Sequence, residues 1–331
     1  MRLLVTGGAG FIGSNFVRKC FDGSLPEISS VTVLDKLTYA GNLENLKNVF
    51  DKIEFVKGDI CDAELFSKLT STCDSVVNFA AESHVDRSIE SVSDFVDTNI
   101  KGVQIMLDVL RQEKTSKRFL QISTDEVYGS INNGSWDENS PMLPNSPYAA
   151  TKASAELLVR SYYRTYKMNL VVTRCSNNYG PHHYPEKLIP LFITNLIENK
   201  KVPLYGNGKN IRDWLHVDDH CDAIYAVLTN GIAGEIYNIG GGRELSNNEI
   251  TSIILNSMNK SDEFIEYVED RQGHDFRYSV NWTKIANDLN YEPKVNFEDG
   301  IKETIDWYLN NLDWWKPLKD DTKVRGDSGD K

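Results

Sequence analysis

The sequence predicts an α/β protein: a doubly wound parallel sheet with a smaller, loop-rich C-terminal lobe. Two observations support this fold class. Short runs rich in β-branched residues alternate with helix-length segments from the start to about residue 175, which is typical of a parallel sheet covered by helices on both faces. A glycine-rich turn also follows the first of these runs, where such sheets bind a ligand.

Six strands are predicted, in the order "RLLVTG", "SVTVLD", "IEFVKGD", "SVVNFAA", "FLQIST" and "NLVVTRC". They define a first domain over residues 1–175. Turn residues then become frequent, which predicts the lobe over residues 176–213 and 241–318. The segments "HVDDHCDAIYAVL" and "EIYNIG" are expected to return to the first domain, as a helix and a strand, over about 214–240. Residues 319–331 are polar and poor in aromatic side chains, which is typical of a disordered tail.

Composition narrows the possible functions. The chain has 331 residues, 40% of them hydrophobic, and a net charge of −12 that would repel a polyphosphate, so no nucleic-acid partner is expected. No run approaches the roughly 20 apolar residues of a membrane span, and the first residues read as a strand rather than a signal peptide, so we expect a soluble, cytoplasmic protein with no membrane partner. The five cysteines are scattered without a C-x-x-C pair, which favours neither disulfides nor a zinc site.

The glycine turn after the first strand has the pattern G-x-G-x-x-G at Gly8, Gly10 and Gly13, and Gly7 adds the alternative G-x-x-G-x-x-G spacing. Glycines let the backbone approach a pyrophosphate, which is held at the helix N-terminus, as in the Rossmann fold. Asp35 ends the second strand 22 residues after Gly13, where a carboxylate binds ribose hydroxyls. The pattern therefore predicts a dinucleotide site that favours NAD over NADP, with an ordinary tight turn as the alternative.

Tyr148 and Lys152 are four residues apart on one face of a helix that begins after the Ser-Pro pair at 146–147. The same spacing recurs from Tyr163 and from Tyr205, so position must distinguish them. Only Tyr148 lies one crossover beyond "STDEVYG", at the expected carboxyl edge of the sheet. A tyrosine base needs its pKa lowered from about 10 towards neutrality, which costs roughly 4 kcal/mol, and a nearby lysine and nicotinamide cation could supply this. A solvated helix pair is the alternative.

Thr124, Asp125 and Glu126 stand side by side where the fifth strand should end. Successive side chains in a strand point to opposite faces, so both acids can reach one ligand only if the strand stops by Thr124. Two crowded carboxyls push their pKa values apart, which suits one acid and one base. The alternative is a pair of solvated charges at a strand end.

Together these motifs resemble the extended short-chain dehydrogenase/reductase superfamily, through "TGGAGFIG", "NFAAESHVDRS", "STDEVYG", Tyr148-x-x-x-Lys152 and "RCSNNYGP". Within it the chain is most similar to the family of dTDP-glucose 4,6-dehydratases, on the stretches "DKLTYAGNLENL", "AAESHVDRSI", "PEKLIP", "LYGNGKNIRDWLHVDDH" and "RQGHDFRY". The likeness runs from residue 5 to about 278. Gln272 departs from it, since the family commonly has proline there.

The resemblance implies that dTDP-glucose loses water to give the 4-keto-6-deoxy sugar nucleotide, with NAD reduced and reoxidised within one turnover. Tyr148 would take the 4-hydroxyl proton, aided by Thr124 and Lys152. Glu126 would remove the C5 proton, and Asp125 would protonate the departing 6-hydroxyl. A sugar-nucleotide epimerase or decarboxylase of the same superfamily is the alternative reaction, and a non-catalytic NAD-binding protein is the alternative of another class.

The resemblance also implies the contact residues. The cofactor residues are Gly7, Gly10, Phe11, Ile12, Gly13, Asp35, Lys36, Thr38, Asp59, Ile60, Ala80, Ala81, Thr98, Tyr148, Lys152, Cys175 and Asn178. The substrate residues are Ser83, Thr124, Asn177, Lys187, Leu188, Tyr205, Arg212, Asn247, Arg271 and His274. A homodimer is expected, in which the helix near "FVDTNIKGVQIMLDVL" and the one starting at Pro147 pair with their copies. No metal is expected at His216 and His220, because the proposed chemistry needs no Lewis acid, and Asp218 and Asp219 read as helix caps.

Overall fold

The computed structural model of the protein describes residues 1–113 and 116–320. Its strands are β1 (Arg2–Thr6), β2 (Ser30–Asp35), β3 (Glu54–Lys57), β4 (Ser75–Asn78), β5 (Arg118–Thr124), β6 (Leu170–Cys175), β7 (Asn177–Tyr179), β8 (Val202–Tyr205), β9 (Ile211–His216), β10 (Ile236–Ile239), β11 (Glu244–Ser246) and β12 (Ile265–Val268).

Its α-helices are α1 (Phe11–Lys19), α2 (Ala63–Thr70), α3 (Val85–Glu90), α4 (Ser93–Phe95), α5 (Val103–Gln112), α6 (Pro147–Tyr166), α7 (Leu188–Ile197), α8 (Val217–Asn230), α9 (Asn247–Ser257), α10 (Thr283–Leu289), α11 (Phe297–Asn310) and α12 (Leu312–Asp320). Single 3-10 segments cover Leu43–Lys52, Asp125–Tyr128 and Asp262–Phe264. A wider π-helical stretch, Val96–Gly102, joins α4 to α5.

The main sheet has seven strands in the order β10-β6-β5-β4-β1-β2-β3, and every pairing is parallel. The predicted doubly wound α/β class is confirmed. The six predicted strands form β1 to β6, and "EIYNIG" contains β10, which pairs with β6 from Ile236 opposite Val172 to Ile239 opposite Cys175. The strand order reverses between β1 and β4, and in such sheets a ligand binds in the crevice at that reversal.

Alternation along the strands divides the core into two layers. Leu3 and Val5 of β1 face a core shared with α1, α8 and α10. Leu4 faces the opposite core, formed with α2, α5 and α6. This division arises because successive residues of a strand point to opposite faces of the sheet. Both faces of the sheet are therefore covered, as the apolar strands require.

The lobe has a core of its own. Helices α7, α9, α11 and α12 pack around residues such as Phe192, Ile254 and Trp315. A small sheet, in the order β11-β9-β7, and a pair, β12-β8, complete the lobe. Residues 319 and 320 close α12, and residues 321–331 of the predicted tail lie outside the described residues. The lobe is thus a second layer of structure that begins directly after β6.

The predicted caps of α8 were wrong. His216 is the N-cap residue, and its Nδ1 accepts a hydrogen bond from the Asp218 backbone nitrogen at 3.3 Å. Asp219 is buried in the first turn and accepts from the backbone nitrogens of Lys294 and Val295, both at 2.9 Å. The carboxylate therefore holds the segment before α11 onto α8 instead of capping its own helix.

Within the described ranges, no helix combines the length and the apolar character that crossing a membrane requires. The same residues contain no group of three or more His, Cys, Asp or Glu side chains placed to hold a metal ion.

Candidate active site

A cavity of about 710 Å³ lies where the carboxyl edge of the main sheet meets the lobe. Its walls come from the glycine turn after β1, the ends of β2, β5 and β6, helix α6, and lobe residues around α7 and β9. All the predicted catalytic, cofactor and substrate residues line this one cavity, except Gly8 of the glycine pattern. The topology thus gathers residues that are up to 267 positions apart, from Gly7 to His274.

The glycine turn is shaped for close approach by a ligand. Gly7 has φ +70°, and a Cβ there would lie 2.5 Å from the Ala80 nitrogen. A Cβ on Gly13 would lie 2.3 Å from the Gly7 carbonyl oxygen. Helix α1 begins at Phe11 without a side-chain cap, so its first N–H groups face the cavity unshielded. This arrangement fits a dinucleotide pyrophosphate. Gly8 packs instead against β2, so G-x-x-G-x-x-G is the spacing that forms the site.

Asp35 ends β2 beside this glycine turn. Its two carboxylate oxygens accept from the backbone nitrogens of Ala9, at 2.9 Å, and Leu37, at 2.8 Å. Burial raises the pKa of Asp35, and these two hydrogen bonds oppose the rise. Next to it, the Lys36 ammonium pairs with Asp59 at 2.7 Å. Because its charge is matched, Lys36 offers little attraction for a 2′-phosphate, and the site fits NAD.

Asp125 and Glu126 lie on a turn, which meets the condition that the strand must stop by Thr124 for both acids to reach one ligand. β5 ends at Thr124, and the 3-10 segment Asp125–Tyr128 follows at once. Thr124 Oγ1 caps this segment by accepting from the Glu126 nitrogen at 3.3 Å, and it also lies 3.3 Å from Asp125 Oδ1, to which it donates. The change from strand to turn brings consecutive side chains into the same cavity, which an extended strand could not do.

The two acids have unequal surroundings. Asp125 is 3% exposed, and its Oδ2 atom has no hydrogen-bond partner among the described residues. Burial first, and then the neighbouring Glu126 carboxylate, raise the pKa of Asp125 well above its usual range. Burial also raises the pKa of Glu126, but Arg271 and Arg212 oppose this rise. Asp125 is therefore favoured as the protonated member of the pair and Glu126 as the more readily ionised one.

The protein surrounding Tyr148 disfavours the ionised form of its phenol. Burial, followed by the Glu126 carboxylate, raises the pKa of Tyr148 well above 10, whereas the predicted lowering depends on a lysine and a nicotinamide cation. The Lys152 ammonium donates to the Ile122 carbonyl oxygen at 2.7 Å, and burial lowers the pKa of Lys152 to about 8. The protein alone thus moves the pKa of the Tyr148 phenol further from neutral pH. The physical reason is the low-dielectric wall that Tyr148 shares with two acids.

Three cations line the lobe side of the cavity: Lys187, Arg212 and Arg271. Arg212 is 5% exposed, and its terminal nitrogens donate to backbone carbonyls, that of Ile211 at 2.7 Å and that of Asp275 at 3.0 Å. In the part of the chain that the structure describes, none of these three cations forms a carboxylate ion pair. Such a cluster, inside a protein of net charge −12, suits a diphosphate.

The other predicted substrate residues complete this wall. Asn177 has a buried side-chain oxygen with no partner among the described residues, so it can receive a ligand donor. His274 Nδ1 lies 2.6 Å from Asp270, and burial, with Arg271 nearby, lowers the pKa of His274 to about 4. His274 is therefore neutral at pH 7, and because its Nδ1–H donates to Asp270, its Nε2 atom is left as an acceptor for a ligand hydroxyl. Its ring lies edge-on to Tyr205, with 6.4 Å between centroids.

Sequence reasoning missed a group of residues at the cavity wall around Arg87. The Arg87 guanidinium lies 3.8 Å from the centroid of the Tyr39 ring and pairs with Glu186 at 2.9 Å. His84 Nε2 lies 3.7 Å from the same carboxylate. All four residues line the cavity. The stretch "HVDRS" was the available signal, but nothing in its spacing pairs it with a residue 99 positions later.

Comparison with known proteins places the chain in context. The GDP-mannose 4,6 dehydratase family model matches residues 4–304. dTDP-glucose 4,6-dehydratase of Streptomyces niveus is 54% identical over 334 residues, covering 100% of this chain and 99% of that protein. The Escherichia coli dTDP-glucose 4,6-dehydratase is 44% identical, covering 97% of each chain.

Solved structures agree with this placement. DesIV, the dTDP-glucose 4,6-dehydratase of Streptomyces venezuelae with NAD and TYD bound, has a TM-score of 0.94 and 53% identity, over 96% of this chain and 100% of that one. UDP-glucose 4-epimerase of Thermotoga maritima, with UDP-glucose, has a TM-score of 0.87 but only 29% identity, over 94% of this chain and 100% of that one. The fold is therefore common to both activities, and identity favours the dehydratases.

Proposed function

The chain belongs to the GDP-mannose 4,6-dehydratase family, and from this premise we propose that it is a hydro-lyase that converts dTDP-glucose into dTDP-4-keto-6-deoxyglucose. The observation that carries the proposal is the acid pair after β5. Both side chains line one cavity, Asp125 is buried with an Oδ2 atom that has no partner among the described residues, and Arg271 and Arg212 oppose the rise in the pKa of Glu126. Relatives that cover the whole chain bear the name of this activity. An epimerase would have no need for two such acids.

NAD is the proposed cofactor, since the glycine turn, the uncapped start of α1 and Asp35 fit it and a related structure contains it. Gly7, Gly10 and Gly13 would hold its pyrophosphate, and Asp35 its ribose. Lys152 lines the same cavity, together with Tyr148. When bound, NAD supplies reversible hydride acceptance, which lets the sugar be oxidised at C4 and later reduced at C6.

The residues of the chain move the protons. Tyr148 takes the proton of the 4-hydroxyl, and the Thr124 hydroxyl turns its one proton from Asp125 to the same oxygen when the substrate is bound. The resulting ketone acidifies the C5 proton, which Glu126 removes as a general base. Asp125 gives its proton to the departing 6-hydroxyl, so that water leaves. Because burial and the acids raise the pKa of Tyr148, positive charge in the loaded site is needed before the phenol can act as a base.

Substrate binding follows from the charges on the lobe side. Lys187, Arg212 and Arg271 would neutralise the diphosphate. Asn177 and His274 would add hydrogen bonds, and Tyr205 with Leu188 and Asn247 would border the base. These roles are supported by the lining of one cavity by all of these side chains.

We also propose a homodimer. Val96, Leu157 and Tyr166 are 41%, 52% and 48% exposed on the segment before α5 and on α6, which leaves apolar side chains on the two helices expected to pair. A cytoplasmic location is proposed as well, in keeping with five cysteines that are all free thiols.

The test is incubation of the protein with dTDP-, UDP-, CDP- and GDP-glucose, followed by mass spectrometry and by the alkali-induced absorbance of a 4-keto sugar. We expect dTDP-glucose alone to lose the mass of one water efficiently. With deuterium at C4, the label should migrate to the new methyl group. A product of unchanged mass would identify an epimerase, and label lost to solvent would exclude the internal hydride return.

A further inference from the structure

A buried network lies beneath the turn that carries the two acids. Glu156 on α6 is 2% exposed, and its Oε2 atom accepts from Nε and Nη2 of Arg174 on β6, at 2.8 Å and 2.6 Å. Its other oxygen accepts from the Ser123 hydroxyl, one residue before the end of β5. A single carboxylate thus ties α6 to two neighbouring strands.

Tyr128 extends this network to the acid turn. It is the last residue of the segment Asp125–Tyr128 and is fully buried. The Arg174 guanidinium carbon lies 4.5 Å from the centroid of its ring. Its hydroxyl donates to Asn238 Oδ1, on β10, at 2.8 Å, and its ring stacks on Trp136 with 6.2 Å between centroids. The Tyr128 side chain is therefore held by contacts with its ring and by a hydrogen bond at its hydroxyl.

Tyr128 does not line the cavity, so it has no direct contact with a substrate there. Its backbone, however, is two residues from Glu126 within one short turn. Thr124 caps the start of that turn, and the Gly129 nitrogen closes its end on the Glu126 carbonyl at 3.2 Å. A shift of the Tyr128 ring would therefore be passed to the acids, since the intervening backbone is hydrogen-bonded at both ends.

We propose that Tyr128 is a positioning residue, which holds Asp125 and Glu126 in register with Tyr148 through its contacts with Arg174 and Asn238. This role rests on the proposed function. Tyr148, Lys152 and Glu156 are spaced four apart on α6 and share one face. Glu156, Arg174 and Tyr128 thus fix the position of α6, which carries Tyr148, relative to the turn that carries the two acids.

The consequence is a selective effect on the reaction. Oxidation at C4 uses Tyr148 and Lys152 on α6, with Thr124 at the end of β5. Loss of water uses Asp125 and Glu126, which stand on the turn. Loosening Tyr128 moves the second pair relative to the substrate and leaves the first in place, so water loss slows more than oxidation does. A displacement of about 1 Å can cost up to about a hundredfold in rate.

The test compares Tyr128→Phe with Tyr237→Phe. Tyr237 is a matched control, because it is also fully buried and a cation, Lys284, lies 4.7 Å from its ring centroid. Among the described residues its hydroxyl has one hydrogen bond, from the Ile232 nitrogen at 3.1 Å. Both variants are mixed with dTDP-glucose while the absorbance of reduced nicotinamide and the release of keto product are followed.

We expect Tyr128→Phe to slow water loss by about ten- to a hundredfold relative to oxidation, so that reduced nicotinamide accumulates during turnover. Tyr237→Phe should show no accumulation at a similar thermal midpoint. Asn238→Ala removes the same hydrogen bond from its other side and should reproduce the split.

Equal loss of both steps in Tyr128→Phe and Asn238→Ala, or rates like those of Tyr237→Phe, would overturn the positioning role while leaving the dehydratase function intact. Failure of the unmodified protein to form the keto product would instead overturn the proposed function, and this role with it.

Discussion

Replacing Asp125 with asparagine tests the assignment of the acid by two independent readouts. The amide keeps the shape of the carboxyl and can still accept from Thr124, which lies 3.3 Å from Oδ1. It cannot deliver a proton to the departing hydroxyl. General acid–base catalysis contributes about 10²- to 10⁴-fold, so water loss should slow by that factor while oxidation at C4 proceeds. Reduced nicotinamide should then accumulate when dTDP-glucose is added.

The second readout is stability, and its sign follows from the pKa. Burial and Glu126 raise the pKa of Asp125 in the folded protein, whereas an unfolded aspartate ionises near pH 4, at about 3.9. Between that pH and the raised pKa, unfolding releases a proton, so the free energy of unfolding of the wild type falls as pH rises. The loss is about 1.4 kcal/mol for each unit by which the pKa is raised. The Asp125→Asn variant does not lose this stability, because asparagine does not ionise.

The assay is thermal unfolding of both proteins between pH 4 and pH 8. Asp125→Asn should match the wild type at the lowest pH and exceed it increasingly towards neutrality. Asp306→Asn, at an exposed position on α11, is the control and should show no such divergence. A stability difference that does not change with pH would refute the raised pKa, and unchanged product formation would refute the role as acid.

Three further outcomes are expected. Arg212→Leu should raise the KM for dTDP-glucose by about 10- to 150-fold, because a hydrogen bond to a charged group contributes about 1.5–3 kcal/mol. The control Arg277→Leu, outside the cavity, should leave KM unchanged. Equal effects of the two substitutions would argue against a phosphate contact. Gly7→Ala should abolish copurification of NAD and destabilise the fold, since its Cβ would lie 2.5 Å from a backbone nitrogen. The control Gly23→Ala, at φ +93° with nothing within 4 Å, should lower the free energy of unfolding by only about 1–2 kcal/mol and retain NAD. Glu156→Leu should lower the free energy of unfolding in urea by about 3–5 kcal/mol, because it leaves a buried arginine unpaired; a loss below about 1 kcal/mol would show that the pair is dispensable.

The fold was predictable because its signals are local. The apolar runs of β1 to β6 and the glycines after β1 are consecutive in the sequence, and each has a period or a spacing that physical chemistry explains. The end of β5 at Thr124 could be predicted for a different reason: two adjacent acids can share one ligand only after the strand has stopped.

The features that could not be predicted depend on distant packing. The register that sets Ser123 beside Arg174, and the docking of α6 that brings Glu156 to both, have no signal in any single segment. The raised pKa of Tyr148 was missed for the same reason, since it comes from burial against acids on another element. The misassigned caps of α8 show the same limit, because Asp219 binds a segment 75 residues away.

The position of β10 has a consequence for how the chain is made. A nascent chain that has left the ribosome only as far as Cys175 has β6 as an open sheet edge, because its partner strand is translated after residues 176–235. An unpaired apolar edge is prone to join other chains. A fragment truncated after β6 should therefore aggregate more readily than the full chain, in which the four-residue strand β10 covers that edge.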